Sequence, residues 1–398
     1  VKMTMFVVSI LPQMFSFPSR SVLFIRRSFG RTPFRSVFPW FAVFLVFCFP
    51  AATFAGTGGT SSTSGSELKK EIELGQKVAA EVEGHWNRIV DPAKTAHVSM
   101  VAEKLIPHLE RPLPFEVRLV EDKTPNAFAL PGGIVFVTTG MLEFVRSDHE
   151  LAAILAHEFV HADRRHGMVQ VARNERLNLL SLAVVIASKG QGAALLMAGL
   201  AQVAIMNNYS RDLEEEADRE GLAVLFLSGY EPSGMVTVME RLSEEKLKRP
   251  YVDPGIFQSH PDVEDRVNYL IETMRNKGWK LQRKLPLRLL RPRWVNEEGR
   301  SSLFLDQTLI WSVPEGVLST KEMNVLVEVL DENLQLELPP YEIHLFEENG
   351  CSVFRIGFSL FLKDPLPEGA DPLPQVRERL LQALRKAQRE HPLGNYLR

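Results

Sequence analysis

Cysteine is almost missing from this chain: 398 residues hold two, Cys48 and Cys351. If an N-terminal leader ends at Ala55, Cys351 alone remains, and an intramolecular disulfide is excluded. Acidic residues are missing from residues 1–66, which carry Lys2, Arg20, Arg26, Arg27, Arg31 and Arg35. The net charge of −3 therefore divides into +6 there and −9 over the remainder. A negative body argues against nucleic acid as the main partner. No 34-residue period is present, which excludes a tetratricopeptide array. The apolar stretch Leu177–Met206 is broken by Lys189-Gly190-Gln191-Gly192. Each half is too short to span a bilayer as a helix. Composition is otherwise that of a globular protein, and the length suggests two or three units.

The N-terminal region reads as an export signal. Arg26-Arg27 through Arg35 form a basic stretch, and 37–49 is apolar. Thr53-Phe54-Ala55 resembles a small-residue cleavage site. Met14 is an alternative start. The competing reading is an uncleaved anchor, because 37–55 approaches bilayer-spanning length. Pro39 and Pro50 count against it. Residues 56–66, rich in Gly, Ser and Thr, read as a flexible linker.

What is present is His157-Glu158-Phe159-Val160-His161. In a helix of 3.6 residues per turn, the two His project from one face. Two imidazoles at that spacing suit one Zn²⁺, and Glu158 can reach a water on it. The segment reads as a helix. Ser147 with Glu150 forms a capping-box pattern, and Leu151, Ile154, Leu155, Phe159 and Ala162 recur at three- and four-residue steps. Gly167 reads as the stop, after the basic turn Arg164-Arg165-His166. The plain alternative is a surface helix with two unrelated His.

A catalytic zinc needs three protein ligands. A third His six residues after His161 is absent, since Gly167 stands there and Arg164 where a Gly is expected. His166 is one residue short and reads as a helix C-terminal cation. The other known source is a Glu on a second helix, and Tyr209 to Asp218 fits it. Glu214 and Asp218 lie four apart on one face. Glu214 is the expected ligand. Asp218 is expected to accept the outer N–H of a ligand His. An acidic solvated face is the plain alternative, and it suits Glu215 and Glu216.

These residues together resemble the M48 family of zinc metallopeptidases, in its Oma1/BepA-like, soluble periplasmic type. The likeness rests on His157-Glu158-x-x-His161 and on Ser210-Arg211-x-x-Glu214-x-Glu216-Ala217-Asp218. Glu73-Leu74-Gly75, the run from Asn126 to Gly133, and Ser259-His260-Pro261 agree with it. The likeness covers about residues 67–275.

The resemblance implies one Zn²⁺ per chain on His157, His161 and Glu214, with Glu158 as general base. Oxyanion donors are open among Arg211, Tyr209 and His260. For His260 three readings stand: a fourth ligand that keeps the enzyme latent, an oxyanion donor, or a plain loop residue. Asn126 and the strand-like run Ile134, Val135, Phe136 and Val137 are candidates for binding an extended substrate along a sheet edge. An ordinary core strand is the alternative. Residues 177–206 read either as a helical hairpin packed on the core or as a membrane-proximal, substrate-gating hairpin.

The expected fold is α+β: a mainly helical zincin-like core at 67–280 with a short active-site sheet, then a small α+β domain at 285–398. That second domain is read from strand-like runs Ser302–Trp311, Glu342–Glu347 and Ser352–Leu362, an Asn349-Gly350 hairpin, and helices Lys321–Leu330 and Pro374–Arg389. The expected activity is that of an exported, periplasmic endopeptidase acting on protein or peptide substrates. A chaperone or assembly factor with a latent zinc site is the rival. Membrane contact would come through the leader or the 177–206 hairpin. No partner of the C-terminal domain is legible.

Overall fold

A computed structural model of the protein describes residues 61–177, 191–205, 209–248 and 263–391. The leader, the first half of the expected 177–206 hairpin, and His260 lie outside the described residues.

Helix α1 (Ser61–His85) begins inside the stretch whose composition read as linker. Its Leu74, Val78 and Val82 repeat every fourth residue and are buried. Helix α2 (Pro92–Leu105) is capped by Asp91, whose side chain accepts from the Ala93 and Lys94 amides. Strands β1 (Glu116–Val120), β2 (Ala127–Ala129) and β3 (Ile134–Thr138) follow. They form one sheet in the order β1-β3-β2, with β1 parallel and β2 antiparallel to β3.

Strand β3 is central and buried at every position. Its alternation divides the interior in two. Val135 and Val137 face a cluster with Leu151, Leu155 and Phe159. Ile134 and Phe136 face another with Val78, Phe128 and Leu200. An unbroken apolar run is what a strand covered on both faces requires. The reading of Ile134–Val137 as an edge strand for substrate is therefore corrected, because both of its edges are already hydrogen-bonded.

Helices α3 (Thr139–Phe144), α4 (Asp148–Asp163), α5 (His166–Asn174), α6 (Gln191–Ile205), α7 (Arg211–Leu227), α8 (Ser233–Lys248) and α9 (Val263–Asn276) complete this part. α6 is the described half of the expected hairpin. No helix among the described residues is long and apolar enough to cross a membrane.

After a short helix α10 (Lys284–Leu287), a separate cluster is built from residues 287–387. Antiparallel strands β4 (Pro292–Glu297), β5 (Arg300–Leu305) and β6 (Thr308–Pro314) form one sheet there. Strands β7 (Ile343–Glu348), β8 (Cys351–Ile356) and β9 (Ser359–Lys363) form another. Helices α11 (Thr320–Asn333) and α12 (Leu373–Glu390) pack with them. Asn349 and Gly350 both take positive φ, 54° and 76°, as a two-residue hairpin turn requires. Two runs read as single strands are each two. Asp306 at φ 52° turns the first, and Gly357 at φ 57° turns the second.

Helix α1 lies directly on the turn that precedes β3. A Cβ on Gly75 would stand 1.8 Å from the Pro131 carbonyl oxygen, and one on Gly132 would stand 2.8 Å from Ile72 Cα. Gly75→Ala is expected to destabilise the fold by about 1–3 kcal/mol through overpacking. Gly84→Ala, with nothing within 4 Å, is expected to stabilise the same helix by roughly 0.5–1 kcal/mol. Urea unfolding of the two variants tests this, and equal midpoints would contradict it.

Candidate metal centre

Helix α4 is buried from Glu150 to Asp163 except for its last contacts with solvent at Arg164. Ser147 caps it, with its hydroxyl accepting from the Glu150 amide at 3.3 Å. The reciprocal half of the expected capping box is displaced by one residue. Glu150 accepts from the Arg146 amide and from Arg241 instead. The helix does not stop at Gly167. It ends at Asp163, and Arg165 takes the left-handed conformation, φ 59°. Gly167 lies within α5.

His157 and His161 sit one turn apart, with Nε2 atoms 3.0 Å from each other. Helix α7 crosses α4 closely at Gly221, where a Cβ would be 3.3 Å from the His157 amide. That crossing carries Glu214 to the same point. Its Oε2 is 3.6 Å from His157 Nε2, and its Oε1 is 3.5 Å from His161 Nε2. Bonds of 2.0–2.1 Å at a tetrahedral angle would separate ligand atoms by about 3.3 Å. The three separations bracket that value, so this donor set fits a zinc-sized ion. His157, His161 and Glu214 are a group that could hold a metal ion.

Asp218 lies one turn beyond Glu214 on α7. Its Oδ1 is 2.9 Å from His157 Nδ1. Two residues of α9 hold Asp218 in turn. Arg266 donates from Nε at 2.8 Å and from Nη2 at 2.7 Å, and the Tyr269 hydroxyl donates to Oδ2. Arg266 Nη1 also stands 3.1 Å from Glu214 Oε2. Sequence reasoning missed Arg266 and Tyr269. A signal was there: Arg266 occupies the same helical stripe as the buried Leu270 and Met274, where a charge needs a reason.

Burial controls the ionisation of this cluster. His157, Glu158, His161 and Glu214 are 2%, 0%, 1% and 2% exposed. Burial lowers the His157 pKa, against the pull of Asp218 and Glu214, which favours the neutral ring a metal needs. Burial raises Glu214 to about 7, against Arg266 and His157. Burial and then the Glu214 charge push Glu158 well above the usual carboxylate range. For Asp218 the cost of burial is outweighed by Arg266 and His157, and its carboxyl stays below that range. Among the described residues, only the Ala129 amide acts on the Glu158 carboxyl as a hydrogen-bond donor, and weakly.

Tyr209 stacks on His161, ring centroids 4.1 Å apart. Its buried hydroxyl has no hydrogen-bond partner among the described residues. Arg211 instead stands exposed at the start of α7, with Nη2 3.1 Å from Asp265. Asn126 is buried and its Nδ2 donates to the Ile205 carbonyl of α6 at 3.3 Å. Strand β2, not β3, is the sheet edge next to α4, and the Ala129 amide acts weakly on Glu158. His166 is no exposed helix-end cation. It is 1% exposed, its Nδ1 lies 2.9 Å from His161 Nδ1, and burial lowers its pKa to about 4. His260 falls outside the described residues.

Comparison with known proteins agrees with this geometry. Residues 92–274 match the model of Peptidase family M48. A beta-barrel assembly-enhancing protease of Escherichia coli O157:H7 is 31% identical over 220 residues, 52% of this chain and 45% of that protein. The mitochondrial metalloendopeptidase OMA1 of Schizosaccharomyces pombe is 30% identical over 183 residues, 45% of this chain and 52% of that protein. The Arabidopsis thaliana OMA1 is 34% identical over 137 residues, 34% and 27% of the two chains. The chain spans about half the length of the first of these relatives.

Arg266 is the fixed cation against the buried Asp218 and Glu214 carboxyls. Arg266→Ala is expected to destabilise the metal-free protein by about 3–5 kcal/mol, because it strands a buried carboxylate. Urea titration measures this, and a loss below about 1 kcal/mol would speak against an ion pair of that weight.

Proposed function

We propose that this chain, whose residues 92–274 belong to peptidase family M48, is a zinc-dependent endopeptidase. The observation that carries the reading is the tetrahedral spacing of His157, His161 and Glu214, with Glu158 buried beside them. Zinc held by His157, His161 and Glu214 would supply Lewis acidity there. Glu158 takes a proton from the attacking water and returns it to the departing amine. Its raised proton affinity suits both halves of the transfer. Asp218 accepts from His157 Nδ1–H and keeps the Nε2 lone pair aimed inward. Of the candidate oxyanion donors we favour Tyr209, whose ring stacks on His161 and whose buried hydroxyl has no hydrogen-bond partner among the described residues.

The substrates we propose are misfolded or misassembled envelope proteins, and the site of action the periplasm. The support is the likeness to a bacterial beta-barrel assembly-enhancing protease, together with the export-like leader. A second reading, an assembly factor with a latent zinc site, is favoured by one observation. The four central side chains are at most 2% exposed, so a peptide needs an opening to reach them.

Two outcomes test this reading. Glu158→Gln is expected to bind one zinc per chain and to cleave casein roughly 10²–10⁴-fold more slowly than the wild type. Equal cleavage by both proteins would sink the mechanism. If neither cleaves and both suppress aggregation, the assembly-factor reading prevails.

Zinc affinity is also expected to depend on pH. The metal-free Glu214 carboxyl titrates at about 7, so below that pH zinc must displace its proton. Apparent affinity should therefore fall about tenfold between pH 8 and pH 6. Chelator competition across that range measures it, and a flat profile would remove Glu214 as a titrating ligand.

A further inference from the structure

We propose that His166 is a positioning residue that sets the tautomer of His161 and aims its Nε2 lone pair at the metal. The proposal rests on the reading of His157, His161 and Glu214 as ligands.

The backbone delivers His166 to this place. Helix α4 ends at Asp163, Arg165 turns through the left-handed region at φ 59°, and His166 opens α5. A non-glycine residue seldom adopts that conformation. Arg165 is held in it with Nε 2.9 Å from Glu71 Oε2. The turn folds the His166 ring back on His161, centroids 4.8 Å apart and planes at 79°.

The two Nδ1 atoms are 2.9 Å apart. At that distance one must carry a proton and the other accept it. Two assignments exist. If His166 donates, its Nε2 presents a lone pair to the Glu216 carboxylate 3.5 Å away. His161 would then carry its proton on Nε2, 3.0 Å from His157 Nε2, where the metal belongs. If His161 donates, both conflicts vanish. His166 Nε2–H faces Glu216, His166 Nδ1 accepts, and the His161 Nε2 lone pair is turned to the side shared with His157 Nε2 and Glu214. The second assignment leaves no lone pair facing a carboxylate and no proton at the metal position.

The two ligand imidazoles then differ. His157 gives its outer proton to a carboxylate, Asp218. His161 gives its outer proton to a neutral ring. A carboxylate raises ligand basicity more than a neutral acceptor does, so His161 is the weaker donor of the pair.

The test compares His166→Leu with His166→Asn in the full chain. Leu fills the space and accepts nothing, whereas Asn places Oδ1 near the position of the lost Nδ1. Zinc affinity is read by chelator competition, the Co²⁺ visible spectrum reports ligand geometry, and melting of the metal-free proteins reports folding. His166→Leu is expected to lose about 10–100-fold in zinc affinity and to shift the Co²⁺ bands. His166→Asn is expected to recover most of the loss, with metal-free melting alike in both. Wild-type affinity in His166→Leu would overturn the proposal. So would an equal loss in both variants, which would assign the effect to ring volume. A wild-type chain that takes up no zinc would overturn the ligand reading itself, a distinct result.

Discussion

Arg266 carries its guanidinium into the interior with 3% of its side chain exposed, and it meets Asp218 and Glu214 there. Taking such charges out of water is costly, and an ion pair of this kind adds little net stability over an apolar replacement. Its effect is better described as geometry. The fork of Arg266 and the Tyr269 hydroxyl fix the Asp218 carboxylate, which lies against His157 Nδ1. Helix α9 thereby orients an imidazole on α4 through a carboxylate on α7. The same guanidinium lies against Glu214 and opposes the upward push that burial gives its pKa. Three helices meet through one cation, and the donor set depends on all three keeping their register.

Local signals in the sequence identify α4 and α7, because both helices are written in short-range chemistry. Ser147 caps α4, and the four-residue steps put His157 with His161 and Glu214 with Asp218. The M48 likeness follows from the same residues and is matched over 92–274. The misreadings share a cause, which is that partners far along the chain decide them. Residues 134–137 are apolar at every position, a pattern that marks burial without telling edge from centre. β1 and β2 on either side make it central. Gly167 looked like the helix stop, yet Arg165 takes the left-handed turn, with Glu71 of α1 against its guanidinium. The role of Arg266 is likewise non-local, because its partners Glu214 and Asp218 lie on another helix. In the C-terminal part the secondary structure classes were legible, but single residues at positive φ, Asp306 and Gly357, split two runs into four strands.

Burial of the site poses the problem that any hydrolytic reading has to meet. A peptide must bring its carbonyl to groups that are at most 2% exposed. Tyr209 covers His161 by stacking, and Asn126 ties the entry to β2 onto the C-terminal end of α6. Both residues are buried, Tyr209 in the apolar cluster with Phe128 and Leu200, so access requires the displacement of packed side chains beside the site.

The C-terminal cluster is fastened to this core by a second buried guanidinium. Arg283 is 1% exposed and forks onto Glu240 of α8 at 2.9 and 2.6 Å, while its other nitrogen reaches Glu337 at 2.9 Å. Lys284 beside it is also buried, with Nζ 2.9 Å from Asp331 of α11. Helix α8 in turn packs on α4, where a Cβ on Gly234 would stand 2.5 Å from the His149 carbonyl oxygen. A displacement of the C-terminal cluster would therefore pull on α8, whose Arg241 holds Glu150 in the first turn of α4. Two buried cations at one junction thus link the helix that carries His157 and His161 to residues well beyond the peptidase match.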